Sequence, residues 1–269
     1  VPDDVTLTKD FKFSEADTDG DKFRKPVHLV LPQGITWART GSDAVALNPA
    51  KAGQTKPSEI VGSQHALRDI ISFEAAAKAQ GSEKAFGKVF GETMLQMREA
   101  VARFLEIDLM RGQRPIGVIQ TGSSGSAEIT ITAATWASGI WAGLDGMNII
   151  VAQALGSNGL PAGVRGTAQN KISSIDLDAR KITLTANAPA STAPGDILLL
   201  GADNAVSGQT DYSGQWSVSP SAWNAMVGLD KIANYAPPDA NDLLFNIAGF
   251  SYSLWKPNNY DIASGPPSL

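Results

Sequence analysis

The residues able to do chemistry are few. His28 and His65 are the only imidazoles among 269 residues, and there is no cysteine. Thiolate nucleophiles, disulfides, Cys-ligated metals, three-histidine metal sites and an HExxH helix are therefore excluded. Asp17-Thr18-Asp19-Gly20-Asp21 is spaced like the start of a calcium loop. That loop needs glycine at its sixth position and glutamate at its twelfth. Counted from Asp17 those positions hold Lys22 and His28, so the stretch reads as a solvated acidic turn. Thr121-Gly122-Ser123-Ser124-Gly125-Ser126 has neither the lysine of a phosphate loop nor the Gly-x-Ser-x-Gly spacing of a nucleophile elbow, and reads as a flexible linker. A Ser-His-Asp triad needs a base beside a nucleophile. His28 lies within an alternating stretch and His65 beside a helix start, neither with a nucleophile motif, so both read as surface or interface histidines. Asp176 and Asp178 are explained as turn residues. Trp37, Trp136, Trp141, Trp216, Trp223 and Trp255 are scattered along the chain, as core and interface anchors would be. A glycan-binding platform is the alternative use for some of them. No catalytic, cofactor-binding or metal-binding residue is expected, and no enzymatic activity.

The elements around these residues are easier to read. The chain carries 22 basic and 27 acidic residues, a net charge of −5, which argues against a dedicated nucleic-acid binder. Charged residues make up only 18%, below the roughly 25% of an ordinary domain. A chain so poor in charge buries much of itself or covers its surface with neighbours. No apolar run approaches the ~20 residues that cross a bilayer, and no leader peptide is visible. Residues 1–25 read as an extended arm. Val27, Leu29 and Leu31 alternate, Pro32-Gln33-Gly34 turns, and Ile35 and Trp37 resume, which predicts a short hairpin. Residues 41–62 read as loop and 64–80 as a short helix. Over 83–111 apolar residues recur near every 3.6 positions, predicting a helix of roughly 43 Å at ~1.5 Å per residue. Gly87 and Gly91 inside it mark where another backbone is expected to come close. Beyond Pro115 the pattern turns to strands: 127–132, 149–153, a hairpin of 171–175 with 181–185, and 197–200. A short helix is expected at 220–227. The fold class is α+β.

The order of these elements resembles the major capsid proteins of tailed bacteriophages, the HK97-type fold. The helix ending Phe104–Gly112 looks like a spine helix running into a loop. The hairpin 171–185 followed by Pro194-Gly195-Asp196-Ile197-Leu198 is similar to a β insertion of such coats. Gly228-Leu229-Asp230-Lys231-Ile232 resembles a Gly-Leu-x-x-Ile that follows it, and Phe250–Trp255 the approach to the axial domain. The resemblance implies an N-terminal arm (1–25), an extended two-stranded loop (26–62), a peripheral domain with the spine helix (63–120), and a β-rich region with the start of an axial domain (121–269). It further implies a shell subunit that assembles with copies of itself into hexamers and pentamers. Such a subunit encloses double-stranded DNA without reading its sequence, and acts in the virion after assembly in the host cytoplasm. Decoration, scaffolding and portal proteins are the further partners of that family; no membrane and no cofactor are implied. The family continues beyond the point this chain reaches, so a missing C-terminal part is expected, and a start at Val1 fits removal of a scaffolding segment. The family's lysine–asparagine cross-link has no counterpart pattern here. A nanocompartment shell and a secreted glycan-binding or hydrolytic β protein are the alternative readings. In the shell reading Leu29, Leu31, Ile35 and Trp37 form the assembly interface, each contributing on the order of 1–2 kcal/mol when half covered.

Overall fold

The structure, a computed structural model, describes residues 18–19, 22–37, 41, 46–67, 83–121, 125–165, 170–201, 214–217 and 222–257. It is a mixed α+β fold in which a two-stranded ribbon and a long helix flank a closed β-barrel. The ribbon pairs β2 (Lys22–Val30) antiparallel with β3 (Gln54–Val61), from Lys22↔Val61 to Val30↔Gln54 with one slip after His28. A two-residue strand, β1 (Thr18–Asp19), edges the start of β2.

This pairing corrects the predicted hairpin. The partner of β2 is not Ile35–Trp37 but Gln54–Val61, inside the stretch read as loop. Pro57 and the polar Gln54-Thr55-Lys56 hide that strand from a propensity reading. Pro57 sits opposite Pro26, so at that rung neither residue donates a backbone hydrogen bond, and the ribbon's free edges there resist pairing with stray strands. The Pro32-Gln33-Gly34 turn does not reverse the chain. Gln33 exchanges both backbone hydrogen bonds with Lys51, at 2.9 and 2.7 Å. The legs run on together because Gly34, at φ 137°, lets them close: a Cβ there would stand 3.0 Å from Ala50 Cα. Asn48 then ties the tip, its amide N–H donating to Thr36 Oγ1 and its Nδ2 to the Ile35 carbonyl, both at 2.9 Å.

Helix α1 spans Glu83–Arg111, as its periodicity predicts. Its C-terminal half buries Ala102 and Ile107 and packs Phe104 on the core. Phe90, Met94 and Leu95, nearer its start, are exposed. Among the described residues no atom lies within 4 Å of a Cβ placed on Gly91, so none of them supplies the close backbone expected there. The predicted helix over 64–80 lies outside the described residues from 68 onward, and 64–67 form no helical turn.

The barrel runs β4 (Gly117–Thr121), β5 (Glu128–Ile131), β8 (Lys181–Leu184), β7 (Asn170–Asp176), β6 (Asn148–Ala152) and β9 (Ile197–Leu200), closing back on β4, with every neighbouring pair antiparallel. Six strands leave an interior that side chains can fill. Ile119, Ile129, Ile131, Ile149, Ile172 and Leu198 do so with Trp141, which follows Ser138 in the single-turn helix α2 (Ser138–Trp141) and stacks on Trp136 at 5.9 Å. Strands β6 and β9 are buried on both faces. Their outward residues Ile150, Ala152, Ile197 and Leu199 lie under Trp216, which explains the unbroken apolar runs. Trp216–Ser217 (β10) pairs with Ala222–Trp223 (β11); of the helix expected at 220–227, residues 220–221 lie outside the described residues, 222–223 are strand and 224–227 form no helical turn. The helix, α3, comes later at Leu229–Ala233. A last 3₁₀ turn covers Ser253–Trp255.

Candidate functional site

The ribbon tip carries the most exposed of the large apolar groups among the described residues. Leu31 is 62% exposed, Ile35 66%, Trp37 85% and Leu47 83%. Leu29, grouped with them by alternation, is 2% exposed and already covered by the chain itself. It is therefore removed from the candidate surface. Leu47 takes its place; it was missed because it lies in the Gly/Pro/Ala-rich stretch that reads as loop.

The ribbon also concentrates positive charge. Residues 22–61 contain six basic residues and two acidic ones, a net of +4, so the rest of the chain sums to −9. This signal is legible without a structure, but only once 54–61 is recognised as part of the ribbon. Glu59 holds Lys22 at 3.3 Å and Arg24 at 3.1 Å across the ribbon. Lys56 Nζ stands 5.0 Å over the Tyr252 ring, a cation–π contact with the segment beyond α3. At the ribbon's base the Glu59 amide N–H donates to the Phe245 carbonyl at 3.0 Å. Phe245 and Asn246 both have positive φ, 50° and 65°. A bulky residue in that region is strained, and the turn 244–247 that holds it presents its carbonyl to β3.

The remaining sequence candidates are dispersed. His28 Nδ1 meets Thr55 Oγ1 at 2.9 Å across the ribbon. His65 Nε2 lies 2.7 Å from Asp108 Oδ2 on α1. Burial pushes the Asp108 carboxyl above its ordinary range, and the His65 contact works against that. Ser63 Oγ, two residues before His65, is buried with no hydrogen-bond partner among the described residues. Asp176 Oδ1 accepts from the amides of Asp178 and Ala179 at 3.0 and 2.9 Å, the turn role expected of it. Trp216 is 2% exposed and offers no face to a sugar. Trp223 and Trp255 each donate Nε1 to a backbone carbonyl, of Gly159 and Leu244. Of the acidic stretch 17–21 only the backbone of Thr18 and Asp19 is described, and of the Gly/Ser loop 121–126 residues 122–124 lie outside the described residues. Among the described residues no three acidic or histidine side chains gather as metal ligands. An open groove of about 350 Å³ along α1 is lined by Arg98, Glu99, Ala102, Arg103 and Glu106. Its charges alternate and converge on no point. No described helix is long and apolar enough to cross a membrane.

A buried polar knot joins the C-terminal end of α1 to α3. Gly228 N–H donates to the Gly112 carbonyl at 2.9 Å. A Cβ on Gly228 would stand 2.5 Å from Gly112 N, and one on Gly112 would collide with the Met226 carbonyl. Behind this crossing Lys231 Nζ, almost fully buried, donates to Gln113 Oε1 at 3.3 Å and faces Asp242 Oδ1 at 3.8 Å. Burial pushes the Lys231 ammonium below its ordinary range, with Asp242 opposing and Arg114 adding to the depression. Tyr235 Oη donates to the Asp242 carbonyl at 2.5 Å and accepts from Gly249 N at 3.2 Å. Asp242 Oδ1 itself is buried with no hydrogen-bond partner among the described residues, so Lys231 meets it as a charge rather than as a hydrogen-bond donor.

In comparisons with known proteins, no family model, curated protein or solved structure matches the chain.

Proposed function

We propose that the chain is a structural subunit of an icosahedral bacteriophage capsid shell, of the HK97-type fold, that self-assembles into hexamers and pentamers around double-stranded DNA. The observation that carries this reading is the ribbon tip, where Leu31, Ile35, Trp37 and Leu47 stand largely in water. Soluble domains rarely leave apolar groups clustered in this way unless a partner covers them. Burying each fully is worth about 1.5–3 kcal/mol. One such contact is weak, whereas the same contact repeated around a closed symmetric shell is not. The order ribbon, long helix and β-rich body supports the same reading, and the role needs no chemistry from the side chains.

The test is assembly. Negative-stain images of the purified chain at micromolar concentration are expected to show closed particles or capsomer rings. Trp37→Asp is expected to abolish them with the barrel intact. Monomers alone across the whole concentration range, for the unaltered chain, contradict the proposal.

A further inference from the structure

Two contacts between the ribbon and the body converge on one residue. The first is backbone: the Glu59 amide N–H of β3 donates to the Phe245 carbonyl at 3.0 Å. The second runs through side chains. The Phe245 ring meets Trp255 edge-on, with centroids 6.5 Å apart at 75°. Trp255 closes the 3₁₀ turn Ser253–Trp255, and Tyr252, directly before that turn, carries Lys56 of β3 over its ring at 5.0 Å.

Phe245 does this from an unusual backbone. Leu244 and Ile247 exchange both backbone hydrogen bonds, at 3.1 and 3.0 Å, and close a four-residue turn. Both central residues have positive φ, 50° at Phe245 and 65° at Asn246, as in the mirror-image type I′ turn that glycine, asparagine and aspartate dominate. Asn246 suits it. Phe245 does not, because a Cβ and a ring crowd the left-handed region. The body holds the turn there. Leu244 and Ile247 are buried, Trp255 Nε1 donates to the Leu244 carbonyl at 3.0 Å, and Tyr235 Oη reaches the Ile247 carbonyl at 3.5 Å.

We propose that Phe245 is a positioning residue that fixes the direction in which the ribbon leaves the body. Its left-handed backbone aims a carbonyl at Glu59, while its ring steadies the turn that offers Tyr252 to Lys56. Lys56 and Glu59 lie three residues apart on one strand, so about 10 Å of β3 is held at both ends and does not swing about a single point. Asparagine or glycine at 245 would form the turn more easily but would bring no ring to Trp255; the strained phenylalanine serves both attachments. If residue 245 left the positive-φ region, its carbonyl would turn from Glu59 and the first attachment would open. The inference concerns how the chain carries its own ribbon and does not depend on the shell proposal.

Hydrogen exchange at the Glu59 amide, resolved by fragmentation mass spectrometry on the full chain, tests the first attachment. The rate at which acetic anhydride modifies Lys56 tests the second. Light scattering verifies one assembly state throughout, and near-ultraviolet circular dichroism verifies the folded body. Phe245→Asn supplies a residue that tolerates the turn and removes the ring. It is expected to leave Glu59 exchange within about twofold and to speed Lys56 acetylation about threefold. Phe245→Pro, with φ fixed at about −65°, cannot form the turn. It is expected to speed Glu59 exchange about tenfold. Where the proline variant does not fold, Phe245→Val, whose branched side chain disfavours positive φ, decides, with a rise of about threefold expected. Unchanged Glu59 exchange in the folded proline variant, or in the valine variant in its place, overturns the positioning role. So does exchange in Phe245→Asn that rises as far as in those variants, and so does Lys56 acetylation unmoved by loss of the ring.

Discussion

At the scale of single residues, the buried charges are the costly ones. Lys231 and Asp242 are an ion pair almost out of water, and removing one partner of such a pair strands the other. Lys231→Met is expected to lower unfolding free energy by about 3 kcal/mol in a urea titration at neutral pH. The pH dependence has a fixed sign. A lysine whose folded-state value is depressed contributes stability above its unfolded value and loses it as pH falls through the depressed value. The unaltered chain is therefore expected to gain on the Lys231→Met variant between neutral pH and about pH 10.5; a difference that stays flat across that range argues against the depression. Gly228 has a different vulnerability, because its missing Cβ is what lets two backbones touch. Gly228→Ala is expected to cost about 2–3 kcal/mol as over-packing, read as a lower midpoint in thermal melting.

At the scale of elements, barrel and ribbon depend on different things. The barrel closes its own ladder, fills its interior and shields β6 and β9 on both faces. The ribbon is two strands with a tip, marginal by itself, fastened at Glu59–Phe245, Lys56–Tyr252 and His65–Asp108. Replacing residues 31–53 with an Asn-Gly turn between Val30 and Gln54 is expected to leave the barrel's melting transition within about 1 kcal/mol of the original. The same variant is expected to form no particles by electron microscopy. The long helix, the 171–185 hairpin and the 197–200 strand were legible because each signal is local: a 3.6 period, an alternation around Asp176–Arg180, an apolar run. Strand β3 was not, because Pro57 and its polar neighbours disguise a strand whose order comes from facing β2. Nor was β4, a five-residue strand ending at the Gly/Ser loop.

At the scale of the whole molecule, charge is segregated. The ribbon region carries +4 against −9 elsewhere, so in the shell we propose a ribbon approaching another copy's acidic surface would be drawn in at long range. Salt shortens that reach, from about 10 Å at 0.1 M to about 3 Å at 1 M. The rate of assembly followed by light scattering is therefore expected to fall by roughly tenfold as salt is raised over that interval. A rate that rises with salt instead assigns the encounter to the apolar tip alone.

Taken by itself, the order of residues determined the α+β class, the span of the long helix, most barrel strands and the scarcity of reactive groups. Each of these depends on side-chain types a few positions apart. It also marked Leu31, Ile35 and Trp37 as apolar residues in a stretch with little to cover them. Only the tertiary structure decided that β2 pairs with β3 across the intervening 31–53, that β9 closes onto β4, that Leu29 is sheltered within the chain, and that His65 meets Asp108. Those contacts join residues far apart in sequence. Whether such a pair forms depends on packing summed over the whole chain against the entropy of closing the loop between them, and no local pattern carries that sum.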